Sequence, residues 1–396
     1  MTNVASTNNR QGIKVLVAGS LLQLFLGIIY VWSVFVAPVS GQLNWPVDSV
    51  KLTSSFMLSF FVIGILVGGR LLPKIGGQKV TLLGGLMLAA GMCAAAFVPQ
   101  SAPWLIYVTY GVVGGFGVGA AYNAVISCAQ KWFPKNRGLA TGVSVCAFGF
   151  STVVFAPLVG WMVENVGLRN TFLILAGVFA AMVLALFSFI KLPEDSGAGA
   201  AGAALQAQKQ YTLKEALSTK EFYFITLSMM FGTAAYFILN PSFKTLAGER
   251  GLSESLSTGL VMLTGVGSAL GRLVVPLVSD KIGRKQGAML IWGITAACAA
   301  ALVFAKGYAF MGVVALIAFC YGGSSGIYPV LTADYFGIKN VGGNYGGVMM
   351  GFAMSALLFP MGIGLIGDVT VKFFVLAGIA ALGTVLLGLL KSKKKA

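Results

Sequence analysis

The strongest chemical signal in this sequence is an arginine, Arg272, in the stretch 256–279, whose other residues are apolar, small or hydroxylic. A charge at membrane depth costs about 2.5–3.5 kcal/mol on insertion scales, so it persists mainly where it faces a protein interior or a water-filled cavity. A guanidinium stays protonated and presents a planar fork of donors that matches a carboxylate. Thr264 and Ser268 precede it at intervals of four residues, which predicts a polar stripe on one helix face. The pattern predicts an organic-anion site; backbone carbonyls and hydroxyls around the guanidinium are the alternative.

Tyrosines and amides in other apolar segments are candidates for the rest of this site. Tyr321, Ser325 and Tyr328 share one helix face at i, i+4 and i+7. Membrane tyrosines also serve as interfacial anchors and amides also join helices, so both alternatives stay open. Phe352 is a candidate apolar wall, with helix packing as its alternative. The predicted substrate-binding residues are Arg272, Tyr30, Tyr122, Asn123, Tyr321, Ser325, Tyr328, Phe352, Gln23 and Ser268.

Several classes of chemistry are excluded by what the sequence lacks. It contains no histidine, so histidine-based catalysis, proton relays and metal ligation are ruled out. The five cysteines lie in apolar segments without CxxC spacing, which predicts packing residues rather than disulfides or metal ligands. No ATP-binding motif occurs, and the glycine-rich stretch 111–120 follows no strand, which argues against a nucleotide loop. We therefore expect neither an enzyme nor a cofactor or metal.

Composition predicts a polytopic helical membrane protein. The 396 residues are 57% hydrophobic and only 10% charged, whereas about 25% charged is usual for soluble proteins. The 53 glycines suit membrane helices that pack closely. Because a span needs about 20 apolar residues, we predict twelve transmembrane helices. Their approximate bounds are 14–38, 52–72, 79–98, 104–130, 138–162, 168–190, 221–243, 254–279, 286–305, 308–333, 342–366 and 370–390.

Charge distribution predicts the orientation. Lysine and arginine concentrate in one alternating set of loops and in both termini, which places the termini in the cytoplasm. The net charge of +16 is thereby explained by topology and contact with the lipid bilayer, not by nucleic-acid binding. We expect a monomer in the cell's inner (plasma) membrane.

A small and polar segment divides the chain. Residues 191–220 predict a cytoplasmic linker that ends in a short amphipathic helix, with Thr212 as its cap and Glu215 three residues later. The linker separates two six-helix bundles, 1–190 and 221–396.

The two bundles also repeat one another. Pro73-Lys74-Ile75-Gly76 and Asp280-Lys281-Ile282-Gly283 occupy the same place, between the second and third spans of each half. Such repeats are typical of secondary transporters with a substrate site at the midplane. The stretch from Gly271-Arg272 to Arg284-Lys285 resembles the signature of the major facilitator superfamily. The resemblance implies two pseudo-symmetric six-helix halves, although Pro73 replaces the usual aspartate in the first copy.

Within that superfamily, the chain resembles the oxalate/formate antiporter family. The resemblance implies an alternating-access carrier in which Arg272 binds the substrate carboxylate and Tyr30, Tyr122 and Tyr321 line the pocket. Oxalate-exchanging members have a lysine eight residues after the asparagine of the NYG motif, where this chain has Phe352. One buried cation favours a monocarboxylate such as lactate, pyruvate or formate. The matching stretches are Gln23–Ser33, Lys131–Gly138, Tyr211–Glu215, Asp334–Gly337 and Asn344–Gly346.

Coupling and other functions stay open at this point. Related monocarboxylate–proton symporters carry an acidic residue where Ser268 stands here, so proton symport and exchange against a second anion are both retained. A dicarboxylate exchanger of the oxalate/formate type is a further alternative. An exporter of organic cations or drugs would require an acidic residue deep in the membrane, and the sequence shows none. A sensor that does not transport and a channel are the remaining alternatives.

Overall fold

The computed structural model describes residues 2–193, 209–240, 243–363 and 366–391. Within these ranges the secondary structure is entirely helical. The predicted all-α membrane fold is confirmed. Two compact units can be distinguished. Unit 1 comprises 1–135, 147–207 and 340–346, and unit 2 comprises 136–146, 208–339 and 347–396.

The first half of the chain forms six α-helices with two interruptions. The first is a 3-10 segment at Gly27–Val31, between α1 and α2. The second is a π-helix at Tyr107–Gly114, which leads directly into α4. The helices are α1 Thr2–Leu26, α2 Trp32–Leu43, α3 Val47–Ala95, α4 Gly115–Trp132, α5 Arg137–Val166 and α6 Leu168–Leu186.

Eight helices are described in the second half of the chain. Half of the predicted linker, residues 194–208, lies outside the described residues, and α7 is a four-residue helix, shorter than the amphipathic helix that we expected. The helices are α7 Leu213–Ala216, α8 Lys220–Leu239, α9 Phe243–Glu249, α10 Glu254–Ile282, α11 Arg284–Ala301, α12 Gly307–Phe336, α13 Val341–Ile363 and α14 Val369–Gly388.

Nine helical stretches in the described ranges are long and apolar enough to cross a membrane. One of these stretches, α3, contains two of the predicted spans, so the nine stretches account for ten of the twelve predicted spans. The other two, the predicted ninth and eleventh spans, correspond to α11 and α13, which are not among the nine stretches. Helix α11 has only 18 residues and begins with Arg284 and Lys285, whose polarity lowers its mean hydropathy.

The internal repeat is visible in the backbone. Gly76 has φ of 82° and separates the two spans within α3, and Gly283 has φ of 102° and separates α10 from α11. Both conformations are ones that side-chain-bearing residues rarely adopt. Equivalent glycines of the two aligned motifs, Gly76 and Gly283, thus make similar turns in the two halves.

Glycines also bring helices of unit 1 into backbone contact. A Cβ atom on Gly119 of α4 would overlap the carbonyl oxygen of Phe61 on α3, and one on Gly68 would lie 2.7 Å from the Cα of Ala120. Small residues at such positions allow the close approach on which membrane helices depend, because the apolar lipid provides little driving force for association.

The predicted cap before α7 is present. The Thr212 hydroxyl accepts a hydrogen bond from the Glu215 backbone N–H, and the Glu215 carboxylate accepts one from the Thr212 backbone N–H, at 3.3 and 2.7 Å. The bond from the Thr212 backbone, followed by the bond from its hydroxyl, lowers the pKa of the Glu215 carboxyl. This reciprocal arrangement satisfies backbone donors that the short helix would otherwise leave open. The domain boundaries at 190 and 221 remain a prediction.

Candidate functional site

Arg272 lies well inside α10, about 15 Å from Ile282 along the axis at 1.5 Å per residue. Its side chain is buried, with 3% of the residue's surface exposed. Thr264 and Ser268 are buried as well. The predicted polar stripe is therefore enclosed by protein, which is where a membrane-embedded charge is tolerated.

The backbone around Arg272 is held by a glycine-rich contact between α10 and α12. A Cβ atom on Gly322 would overlap the Ser268 carbonyl oxygen, and one on Gly326 would lie 2.6 Å from the Arg272 carbonyl oxygen. A Cβ on Gly271 would in turn overlap the carbonyl oxygen of Phe319. Since only glycine fits at these positions, the depth and rotation of Arg272 are fixed by the contact between the two backbones.

The first ten residues of α5 pack along the same part of α10. A Cβ atom on Gly138 would lie 2.6 Å from the Pro276 carbonyl oxygen, and one on Gly142 would lie 3.3 Å from that of Arg272. Cys146, one turn further along α5, is buried, which agrees with the packing role that the sequence predicts for this cysteine.

Two acidic residues, one on α10 and one on α12, are engaged near the C-terminal ends of these helices. Asp280 forms an ion pair with Arg284, and Asp334 forms one with Arg137 at 2.9 Å. Asp280 is also two turns, about 12 Å, from Arg272 along the helix. Arg272 has interactions of its own, but its Nε and Nη1 atoms make no hydrogen bond to any residue that the structure describes.

Four aromatic side chains from three helices form a cluster in unit 2, which we call the aromatic wall: Tyr236 and Phe237 of α8, Tyr321 of α12 and Phe352 of α13. The Tyr236 and Tyr321 rings are stacked, with centroids 3.7 Å apart and planes inclined by 7°. Phe237 meets Tyr321 and Phe352 edge-on, at 5.6 and 4.9 Å. The structure thus brings together Tyr321 and Phe352 and adds two residues that sequence analysis missed, while a role of this cluster as a pocket wall stays a prediction.

The other predicted residues of α12 have different surroundings. Ser325 is partly exposed. Tyr328 is fully buried, and its hydroxyl accepts a hydrogen bond from the Trp292 indole N–H at 2.8 Å and shares another with Ser228 at 2.7 Å. The Tyr328 hydroxyl is therefore engaged in a polar cluster with α8 and α11.

In unit 1, the predicted tyrosines meet around one phenylalanine. Phe148 contacts Tyr30 edge-on at 5.5 Å and Tyr122 at 4.8 Å, and Phe61 contacts Tyr122 at 5.2 Å. Tyr30 is partly exposed and belongs to the 3-10 segment. This segment starts at Gly27, where a Cβ atom would overlap the Phe148 carbonyl oxygen. A local change to 3-10 geometry within a helix often marks a functional position.

The two predicted amides of unit 1 join helices. Asn123 donates hydrogen bonds from Nδ2 to the carbonyl oxygens of Ile65 and Gly342, at 2.7 and 2.8 Å, and its Oδ1 accepts one from Ser127. Gln23 donates from Nε2 to the Tyr122 carbonyl oxygen at 3.2 Å. Of the two alternatives that the sequence left open for these amides, the structure shows helix joining; a role in substrate binding stays a prediction.

The helical fold, with nine described stretches long and apolar enough to cross a membrane, is that of a multi-pass membrane protein. The sequence matches the family model described as Major Facilitator Superfamily over residues 17–333 and 225–396. The chain belongs to the Major Facilitator Superfamily.

Three similar proteins align over most of the chain, and the names of two of them refer to carboxylates. The oxalate:formate antiporter of Oxalobacter formigenes is 27% identical, over 82% of this chain and 78% of its own length. Monocarboxylate transporter 13 of Bos taurus is 24% identical, over 90% and 83%. The MFS-type transporter YhjX of Escherichia coli (strain K12), described as uncharacterized, is 27% identical over 86% and 85%.

Solved structures show the same fold at low sequence identity. The transporter FucP in the outward conformation superposes with a TM-score of 0.70 at 15% identity, over 96% of this chain and 99% of its own. The human organic anion transporter MFSD10 gives a TM-score of 0.71 at 15% identity, over the same shares of the two chains. The major facilitator fold predicted from the sequence is confirmed.

Proposed function

We propose that this protein is a secondary active transporter of small carboxylates, and of monocarboxylates such as lactate, pyruvate or formate in particular. The observation that carries the proposal is Arg272, a guanidinium enclosed at membrane depth and fixed there by backbone contacts of α10. Its planar donors fit the two oxygens of a carboxylate. The two named relatives, an oxalate:formate antiporter and a monocarboxylate transporter, support the same class of substrate.

The surroundings of Arg272 favour an anion with one carboxylate. Asp280 of α10 and Asp334 of α12 are paired with Arg284 and Arg137. Phe352, at the position where the resemblance implies a second cation for oxalate exchange, is a buried member of the aromatic wall. One cation with an apolar surface suits one carboxylate with a short uncharged remainder.

Binding also provides a reason for the transporter to change conformation when it is loaded. An unliganded guanidinium favours hydration, so enclosing it in a closed cavity is costly. A bound carboxylate offsets that charge and lowers the cost of closure. Such a difference in affinity between two states is what any ligand-driven conformational change requires. We infer alternating access on this basis.

The coupled species is either a proton or a second anion. Exchange requires no titratable group in the membrane. Proton symport requires one, and Asp280, Asp334, a water molecule or the substrate itself are the candidates. The relative named as an oxalate:formate antiporter is the observation that favours exchange, and it also makes a dicarboxylate exchanger the second candidate function.

The remaining expectations belong to the same proposal. They are a location in the inner membrane with both termini in the cytoplasm, a monomeric protein, and six-helix bundles at 1–190 and 221–396. Tyr30 and Tyr122 stay predicted substrate contacts.

The proposal is tested by counterflow in proteoliposomes. Labelled lactate, pyruvate, formate and oxalate would be supplied with and without a pH gradient. We expect saturable uptake of at least one monocarboxylate, and loss of this uptake in Arg272→Gln. Arg169→Gln is the matched control, because Arg169 is exposed and rests on the Phe97 ring at 4.6 Å. Uptake that Arg272→Gln leaves unchanged would refute the proposal, and saturable oxalate exchange without monocarboxylate uptake would favour the second candidate.

A further inference from the structure

One pair of rings in the aromatic wall, Tyr236 and Tyr321, is packed more closely than aromatic pairs usually are. Centroid separations of about 4.5–7 Å are typical, in offset or edge-on arrangements, whereas Tyr236 and Tyr321 stack at 3.7 Å. Edge contacts hold the stack on two sides, from Phe237 to Tyr321 at 5.6 Å and from Phe243 to Tyr236 at 6.0 Å. Each ring of the stack therefore has a second aromatic neighbour.

The wall has a buried side and an open side. Tyr321 and Phe352 are 5% and 4% exposed, whereas Tyr236 and Phe237 are both partly exposed. The open side is thus provided by α8. Nearly all the neighbours of these two residues in α8 are apolar, so the sequence pattern does not distinguish them.

The wall and Arg272 are positioned by the same helix contact. Gly322, which follows Tyr321, packs on the Ser268 backbone of α10, one turn before Arg272. Because this contact is between backbones, the main chains of α10 and α12 are held together beside Arg272 and Tyr321.

We propose that Tyr236 and Phe237 are specificity-determining residues that limit the carbon chain of the transported acid. The inference rests on the proposed function and adds to it which residues set the length of the carbon chain. A single methylene in a closely fitting apolar site changes discrimination by about 10–200-fold. A second carboxylate would be disfavoured for another reason, because the faces of aromatic rings carry the negative part of their quadrupole.

A competition series tests this inference. Uptake of the best labelled monocarboxylate would be inhibited with formate, acetate, propionate, butyrate and valerate. In Tyr236→Ala and Phe237→Ala, we expect the ratio of valerate to acetate affinity to rise at least about tenfold, because the open side of the wall is removed. Tyr236→Phe keeps the ring and should leave the ratio unchanged.

Phe231→Ala is the matched control. Phe231 is also on α8 and pairs with Phe359 of α13 at 5.9 Å, outside the aromatic wall. We expect it to leave the ratio unchanged. If an alanine variant does not fold, Tyr236→Leu and Phe237→Leu remove the aromatic ring with less loss of volume and carry the same expectation.

The outcomes separate this inference from the proposed function. A wild-type protein that transports no carboxylate would overturn both. A wild-type protein that transports monocarboxylates, together with folded Tyr236 and Phe237 variants of unchanged ratio, would overturn the inference alone. An equal rise in Phe231→Ala would also overturn it, because the effect would then not be specific to the wall.

Discussion

Gly326 provides a direct test of how the fold positions Arg272. A Cβ atom at this position would lie 2.6 Å from the Arg272 carbonyl oxygen and would also overlap the Pro276 ring. A relaxed carbon–oxygen contact is about 3.3 Å and a relaxed carbon–carbon contact is at least about 3.5 Å, so Gly326→Ala has to separate α10 from α12 by about 0.7–1.1 Å. Because the obstacles are a backbone carbonyl and a rigid proline ring, no side-chain rotation relieves the overlap.

The expected cost has two parts. Overpacking of this kind typically destabilises a protein by about 1–3 kcal/mol, which a thermal unfolding measurement of the purified protein would detect. A misplacement of about 1 Å can reduce the rate of a positioned reaction about 100-fold, so we expect transport per folded molecule to fall at least about tenfold. The assay is counterflow normalised to correctly folded protein.

Gly312→Ala is the matched control, because it is on the same helix and a Cβ there meets nothing within 4 Å. We expect it to retain both stability and transport. If Gly326→Ala behaved like Gly312→Ala, the argument that backbone contact between α10 and α12 fixes Arg272 would be wrong.

Two further predictions concern residues that the structure places in polar clusters. Tyr328→Phe leaves the Trp292 indole and the Ser228 hydroxyl without their shared partner. We therefore expect the free energy of unfolding to fall by about 1–3 kcal/mol with unchanged substrate selectivity, as measured by thermal unfolding and by the competition series. Altered selectivity would instead assign Tyr328 to the substrate site. Asn123→Ala removes the two hydrogen bonds that Asn123 donates to buried carbonyl oxygens, so we expect the free energy of unfolding to fall by at least about 1 kcal/mol in the same measurement. An unchanged free energy of unfolding would show that these bonds contribute little.

The fold was largely predictable because its signals are local. Apolar stretches of sufficient length predict the spans, and Gly76 and Gly283 are recognisable from the repeated sequence around them. The interruptions were not predictable. The 3-10 segment begins where Gly27 meets the Phe148 carbonyl oxygen, and a contact between residues so far apart in the chain leaves no periodic pattern.

The site was predictable only in part, for related reasons. Arg272 stands out because it is a charge in an apolar stretch. Tyr321 and Tyr328 share a helix face but are separated by about 10 Å along the axis, so they have different neighbours. Asn123 binds the Gly342 carbonyl oxygen, a partner 219 residues away. Tyr236 belongs to a helix that is apolar nearly all round, and such a helix provides no stripe that would single it out.

The central claim is that the Arg272 guanidinium binds the carboxylate of the substrate. Comparing an acid with its neutral amide, for example lactate with lactamide, tests it most directly. Competition against labelled substrate would be measured in the wild type and in Arg272→Gln. We predict that the wild type prefers the acid at least about 100-fold, as expected when a buried charge pair worth about 3 kcal/mol is lost, and that Arg272→Gln loses the preference. A preference that survives in Arg272→Gln would contradict the account.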